Sequence, residues 1–492
     1  MTGVALVASL AAAVVGARST SFIEVRWQAP LDVPEVGDEP NVLGVANGLA
    51  VIRRDGDCLL FSSDTGTALG KLAVGDAQVI FTAGHLAVLD HETLVGYELG
   101  GGGFQTRWRI PVVSRALIPY GSRLDAVDDG RTVLVTGSAC GDRCPNEGNP
   151  DHPGELVAID FIDGTTKWRR ASDGRGIDAL AAAGDRFIVA SRCEAIAHAG
   201  DTGRVLWRTG GCHIDSDEKA LVTSTGDAVF FSPAGRKLTK LERTTGRKRW
   251  EVALGGMVVV ALAATDRAVY VALREGTRFA RPRAGAVRAF DAATGRRLWE
   301  HALDVRRLVV ADGQSLVVEE MGKSARTRLS LVDRVTGDVR DIFRVGRGEG
   351  VQIERKPAGT PRLVVGSSVG VLGLGLTAQP AVAPPRRIRG RLTATGGALA
   401  GFPILYEARG ADWPTRTVTT DAQGEFEIVI DAPDVVPIWL RPDAVERHRQ
   451  ATSGGNPRWD CMPKPSVQYV VGARASTPAR LDIWLVCFDP LE

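Results

Sequence analysis

Two short stretches hold the densest chemistry in this sequence. In SACGDRCPNEGNPDHPGE, Ser138 to Glu155, Cys140 and Cys144 stand near Asp142, Glu147, Asp151 and His152. Thiolate, imidazole and carboxylate are zinc ligands, but structural zinc sites take two cysteine pairs or two Cys with two His at fixed spacing. One C-x-x-x-C with one His is neither, so a loop closed by a Cys140–Cys144 disulfide is the expectation. In CHIDSDEKA, His213, Asp215, Asp217 and Glu218 follow Cys212. Alternating carboxylates can hold Ca²⁺ through oxygen, yet the twelve-residue loop with Gly at its sixth position is absent. A solvated turn is the expectation there, with Asp215, Asp217 and Glu218 as metal candidates lacking a recognisable loop. No His-Glu-x-x-His helix appears and the seven His stand singly, so no catalytic residue is assigned.

A third kind of stretch recurs. AVRAFDAATGRRLWEHAL sets Asp291, a Thr-Gly turn at Gly295 and Trp299 behind an alternating apolar run. Its relatives end on Trp168 (with Asp160 and Gly164), Trp207 (Asp201, Gly203) and Trp250 (Gly246), at intervals of 39, 43 and 49 residues. Weaker copies place Trp27, Gly70, Trp108 and Asp341 at the corresponding position. Between them lie runs of four to seven β-branched and apolar residues broken by Gly, Asp and Asn, and no sustained helical period. Four strands per unit of about 40–45 residues is the spacing of a β-propeller blade. Within the unit the Gly permits a positive φ in a tight turn and the Asp accepts from the turn's amides. The Trp lays an apolar face on the next blade, its N–H free to find a carbonyl.

These residues resemble the pyrroloquinoline quinone (PQQ) repeat, whose consensus is Ala-x-Asp-x-x-Thr-Gly-x-x-x-Trp. The resemblance covers residues 22–376 and implies an all-β propeller like those of quinoprotein dehydrogenases and outer-membrane assembly lipoproteins. Eight blades are favoured, with the Trp27 strand closing the last one; seven is the alternative. The dehydrogenases hold PQQ with calcium at the ring axis, commonly beside a disulfide between adjacent cysteines. This sequence has no Cys-Cys pair, so no cofactor is expected.

After a Pro/Ala linker, 377–386, the text changes again. A Gly-x-Leu strand, a GGALAG turn and Thr420, Asp421, Gly424 and Phe426 in Thr-Asp-x-x-Gly-x-Phe resemble the carboxypeptidase regulatory-like, or transthyretin-like, module. That resemblance implies a C-terminal β-sandwich over 387–492.

Residues 1–21 read as an export segment, apolar from Val4 to Ala17, with Val15 and Ala17 as the small residues before cleavage. In an exported protein the cysteines pair by sequence proximity as Cys140 with Cys144, Cys193 with Cys212 and Cys461 with Cys487, leaving Cys58 free. Sixty basic residues against 58 acidic ones give a net charge of +2, which leaves no field to gather nucleic acid. No transmembrane helix is expected in the mature chain. The expected role is a non-catalytic scaffold or binding module of the periplasm, cell envelope or exterior, holding a protein or an envelope component. The alternatives are a PQQ-dependent alcohol or sugar dehydrogenase, and a carbohydrate-binding protein using Trp413, Trp439 and Trp459.

Overall fold

In a computed structural model the protein is built almost wholly of strands. The residues described are 20–29, 31, 40–82, 85–90, 93–100, 102–111, 123–126, 132–137, 155–171, 177–191, 194–210, 219–233, 236–275, 285–310, 314–321, 327–346, 350–354, 362–367, 370–382, 386–394, 397–407, 415–430, 435–452, 460–464, 468–471 and 480–488.

Within them, eight antiparallel four-stranded meanders succeed one another along the chain, the repetition of a β-propeller. Units one to seven are contiguous, spanning 41–73, 78–111, 123–171, 179–210, 221–253, 258–301 and 305–346. Unit eight pairs Val351–Glu354, Arg362–Ser367 and Gly370–Val382 with the N-terminal strand Thr20–Ala29 as its outermost member. There Trp27 stands opposite Gly373, so the first strand of the chain completes the last repeat.

Burial follows strand position. Second strands such as Ala228–Ser232 and Ala268–Arg274 are buried on both faces, whereas the outer strand Val205–Gly210 alternates between exposed and buried positions. A strand sandwiched between two sheets needs apolar residues in succession, and one at the rim needs them only on the inward face. Each unit shares a buried apolar cluster with the next. Units three and four meet over Leu134, Leu156, Trp168, Phe187 and Val189, and unit eight meets unit one over Trp27, Ala29, Val42, Ile52, Val364 and Val371.

The strand Gly370–Val382 runs on past Leu376 into the Pro/Ala segment, where Ala381 and Val382 pair Ser21 and Thr20. Beyond it come two more sheets. One contains Arg386–Ala394, Gly397–Ala398, Glu425–Ile430, Asp460–Lys464 and Arg480–Phe488; the other contains Pro403–Glu407, Thr415–Thr419, Val435–Leu440 and Gln468–Val471. Ile388, Phe426, Ile428 and Ile483 of the first and Ile404, Ile438 and Leu440 of the second share one core.

The strands of this region are interrupted by a helix, Pro442–Thr452. Pro442 suits its first turn, Asp443 faces the positive end of the dipole and Arg449 the negative end. Ala444 and Val445 dock on the core. Among the described residues no helix is long and apolar enough to cross a membrane.

Candidate functional site: indole joints and a basic cleft

The recurrent motif is a joint between units. In the fourth unit the Gly203 amide donates to the Ala199 carbonyl (2.8 Å), and Gly203 has φ +65°. Trp168 of the third unit lies on that turn: its Nε1–H donates to Gly200 O (2.9 Å), and a Cβ on Gly203 would fall 2.5 Å from the ring. Glycine is therefore required twice, for its φ and for the space the indole fills.

The same docking recurs around the chain. Trp27 donates to Ser63 O (2.8 Å), Trp108 to Phe161 O (2.7 Å), Trp207 to Arg243 O (2.8 Å), Trp250 to Ala292 O (3.2 Å) and Trp299 to Arg334 O (3.0 Å). Each ring covers the turn glycine of the following unit, Gly66, Gly164, Gly246, Gly295 and Gly337 respectively. Immediately before each Trp the outer strand shifts register, as between Ala158 opposite Trp168 and Ile159 opposite Thr166. Such a bulge re-aims the side chain that follows it.

Asp160 and Asp291 stand four residues before their glycines and accept from the turn. Asp160 Oδ1 takes the Ile162 amide (2.9 Å), and Asp291 Oδ1 takes the Thr294 amide and hydroxyl (both 2.7 Å). Those Thr294 bonds hold the Asp291 carboxyl below its usual range. Asp201 differs: it lies two residues nearer its glycine and is exposed, and Ala199 occupies the equivalent place. The short spacing in AHAGDTG, rather than its residue types, distinguishes the two cases.

Two units lack the Trp, and each has a local answer. Gly70 of the first unit meets the Gly-rich turn of the second, its Cβ direction ending 3.0 Å from Gly103 Cα. Asp341 of the seventh unit, buried, accepts the Ile23 amide of the N-terminal strand (3.2 Å) and its neighbour Ile342's amide (2.9 Å). Unit eight has no turn joining its last two strands, because they come from opposite ends of the chain. A carboxylate replaces the indole there and takes the incoming strand by its backbone.

Of the other candidate residues, Cys140, Cys144, Cys193, Cys212, Asp215, Asp217, Glu218, Trp413 and Trp459 lie outside the described residues. Cys461 and Cys487 are direct cross-strand partners of Asp460–Lys464 and Arg480–Phe488. Trp439 is half-buried within the strand Val435–Leu440. Cys58 is a buried free thiol, pushed up to about 12 by burial. GSSVG, Gly366 to Gly370, matches the G-x-S-x-G spelling of a hydrolase elbow but joins two paired strands rather than a strand and a helix. The serine of that spelling is Ser368, which lies outside the described residues; its neighbour Ser367 is buried, donating to Val345 O (2.8 Å). A quinone with calcium needs clustered oxygen ligands and a carboxylate base. Among the described residues no group of three or more His, Cys, Asp or Glu is placed to hold a metal ion.

A site the motif did not advertise lies between the third and fourth units. A cavity of about 380 Å³ opens between Arg170 on one outer strand and Glu194, His198 and Arg208 on the facing sheet. The Arg208–Glu194 ion pair closes at 3.1 Å, with Glu194 buried. His198 is also buried and stacks near-parallel under Trp168. Its Nδ1 is 3.0 Å from Gly203 O. A carbonyl can only accept, so Nδ1 carries the proton and Nε2 of the neutral ring keeps a lone pair. Burial, with Arg170 adding repulsion, holds the ring below its ordinary pKa. The signal was in the alignment of the units. Two residues after the Trp, Arg170 stands where others have Ala29, Ile110, Thr209, Val252 and His301. Five before the Gly, His198 stands where others have Phe61, Ile159, Leu241, Phe290 and Val332.

Fold and joints together define a β-propeller protein of the PQQ-repeat type. Residues 102–211 and 191–373 match the family described as outer membrane protein assembly factor BamB, over more than half of the chain, and the chain belongs to that family. No curated protein sequence matches it. Among solved structures it is similar to the quinohemoprotein alcohol dehydrogenase of Comamonas testosteroni, at 12% identity and a TM-score of 0.53, over 74% of this chain and 78% of that one. A second quinohemoprotein alcohol dehydrogenase, from Pseudomonas putida, is similar at 11% identity and 0.52, with the same coverage of 74% and 78%. Sqt1 of Saccharomyces cerevisiae is similar at 12% identity and 0.52, over 72% and 99%. At such identities the likeness is one of fold.

Proposed function

We propose that this chain is an exported, non-catalytic scaffold of the bacterial cell envelope that binds a protein or envelope component. In this reading the eight units are the blades of one eight-bladed propeller over 22–376, and the two C-terminal sheets are a carboxypeptidase regulatory-like sandwich over 387–492. The cyclic order of the shared clusters, with unit eight meeting unit one, supports the blade number. One core under both C-terminal sheets supports the sandwich.

The observation that carries the function is the family match across residues 102–373, whose description is that of an outer-membrane assembly factor. A frame fastened blade to blade presents loops and faces on a rigid body, which suits contact with another macromolecule. The apolar segment from Val4 to Ala17 supports export. The dehydrogenases share the fold at 11–12% identity, which carries no chemistry to this chain. No cofactor belongs to this reading.

The test joins two measurements. Crosslinking in the native envelope, followed by mass spectrometry, should recover a defined envelope protein with the full chain, and deletion of the gene should lower the outer-membrane level of that partner or its clients. Dye reduction by the purified protein with PQQ and Ca²⁺ should stay at background. Sustained turnover with an alcohol or sugar would overturn the proposal.

A further inference from the structure

The cleft between the third and fourth units combines two chemistries that the other joints keep apart. Its walls are aliphatic, from Leu156, Ile177, Val189 and Ile196. Its lining adds Arg170 and Arg208 and, among the described residues, one carboxylate, Glu194. Glu194 pairs with Arg208, and Arg170 pairs with no carboxylate among the described residues. The neutral His198 adds no charge and offers an acceptor rather than a donor. The result is an apolar pocket with excess positive charge in its lining, of a volume that suits a small molecule.

A planar guanidinium binds a carboxylate through two parallel N–H···O bonds, and it does so best beside surfaces that exclude water. We propose that this cleft binds a small amphiphilic carboxylate, its acid group held by Arg170 with Arg208 and its apolar body against the aliphatic wall. A bare inorganic anion would leave that wall wetted, and a neutral amphiphile would leave Arg170 without a counterion. The carboxylate could belong to a free acid or to the C-terminal residue of a peptide, since both present the same head and an apolar body. The site is separate from the envelope-scaffold reading and stands or falls without it.

The experiment is calorimetric titration of the full-length protein, with Trp168 fluorescence as a second readout. The probes are octanoate, octanol, N-acetyl-phenylalanine, its amide and inorganic phosphate. At least one carboxylate should bind, with its neutral counterpart and phosphate at least about tenfold weaker, the loss of one charged contact. Arg170→Glu should weaken binding by at least about tenfold as well. Val205→Glu, at a lining position 43% exposed, should do the same by adding a carboxylate without touching an arginine. Arg249→Ala, on the exposed outer strand of the fifth unit, should bind as wild type does. Both mutated positions at the cleft are solvent-exposed, so an unchanged melting temperature separates lost binding from lost fold. Octanoate alone binding identifies a free acid; N-acetyl-phenylalanine alone identifies a chain terminus. No binding of either acid, equal binding of acid and neutral partner, equal binding of phosphate, or binding that survives Arg170→Glu would overturn the proposal.

Discussion

The ring of Trp168 occupies the space that any side chain on Gly203 would need, and its Nε1–H donates to Gly200 O at 2.9 Å on the same turn. The repeat motif is thus a lock made from two units, the Trp of one and the Thr-Gly turn of the next. Gly203→Ala should cost about 2–5 kcal/mol, the sum of a left-handed backbone penalty and overpacking against the indole. Gly48→Ala supplies the control, since Gly48 also has positive φ (+79°) but nothing within 4 Å of a Cβ, and should cost about 1–2 kcal/mol. Urea denaturation of both variants compares them; equal losses would remove the indole from the explanation.

Asp341 latches the N-terminal strand. Asp341→Leu keeps the bulk but strands the buried Ile23 amide, a loss of about 1–3 kcal/mol, and hydrogen exchange in the segment Thr20–Ala29 should accelerate. Asp341→Asn retains an acceptor and should exchange close to wild type. An unchanged exchange rate in the Leu variant would mean that strand pairing alone holds the segment.

His198 makes the third joint sensitive to acid. Its folded pKa lies below the ordinary 6.5, because burial disfavours the imidazolium. The unfolded chain therefore takes a proton that the folded one resists, and stability present above about pH 6.5 declines as the pH falls below that value. In His198→Phe, which copies Phe290 of the sixth unit, this component should vanish, so the denaturation midpoint should fall less between about pH 7 and pH 5 than in wild type. Parallel profiles for the two proteins would contradict it.

In an oxidising compartment Cys461 and Cys487 should form a disulfide. Direct partners in an antiparallel pair have Cα atoms about 4.5–5.5 Å apart, within the range a disulfide spans. A digest without reductant should yield one crosslinked peptide containing both residues; two separate thiol peptides from oxidised protein would exclude the bridge.

Cys58 should behave in the opposite manner. With its thiol buried and pushed up to about 12, thiolate is scarce at pH 8, so native protein should resist alkylation until unfolded. Rapid native-state labelling at this position would contradict the burial.

The propeller was legible because its code is local and repeated. Asp291, Gly295 and Trp299 lie within nine residues, each chosen by turn geometry or strand position, and four clear copies revealed the period. The Trp27 strand was legible for the same reason, as a motif tail without a turn. The helix at Pro442–Thr452 escaped notice, since an eleven-residue segment with a short apolar face carries little periodic signal.

Partnership was legible only in part. The repeat sets the Trp against the next blade, but nothing within one repeat says that its ring covers the turn glycine there, or that Asp341 takes the Ile23 amide 318 residues away in the chain. Those contacts depend on how one sheet lies over the next, a relation between distant segments that no local spacing encodes. The cleft is the same case: Arg170 and His198 read as isolated departures from two columns of the repeat. Only the packing of the third unit on the fourth brought the departures together around one cavity, because residues on facing sheets meet through the ring's geometry and not through the chain.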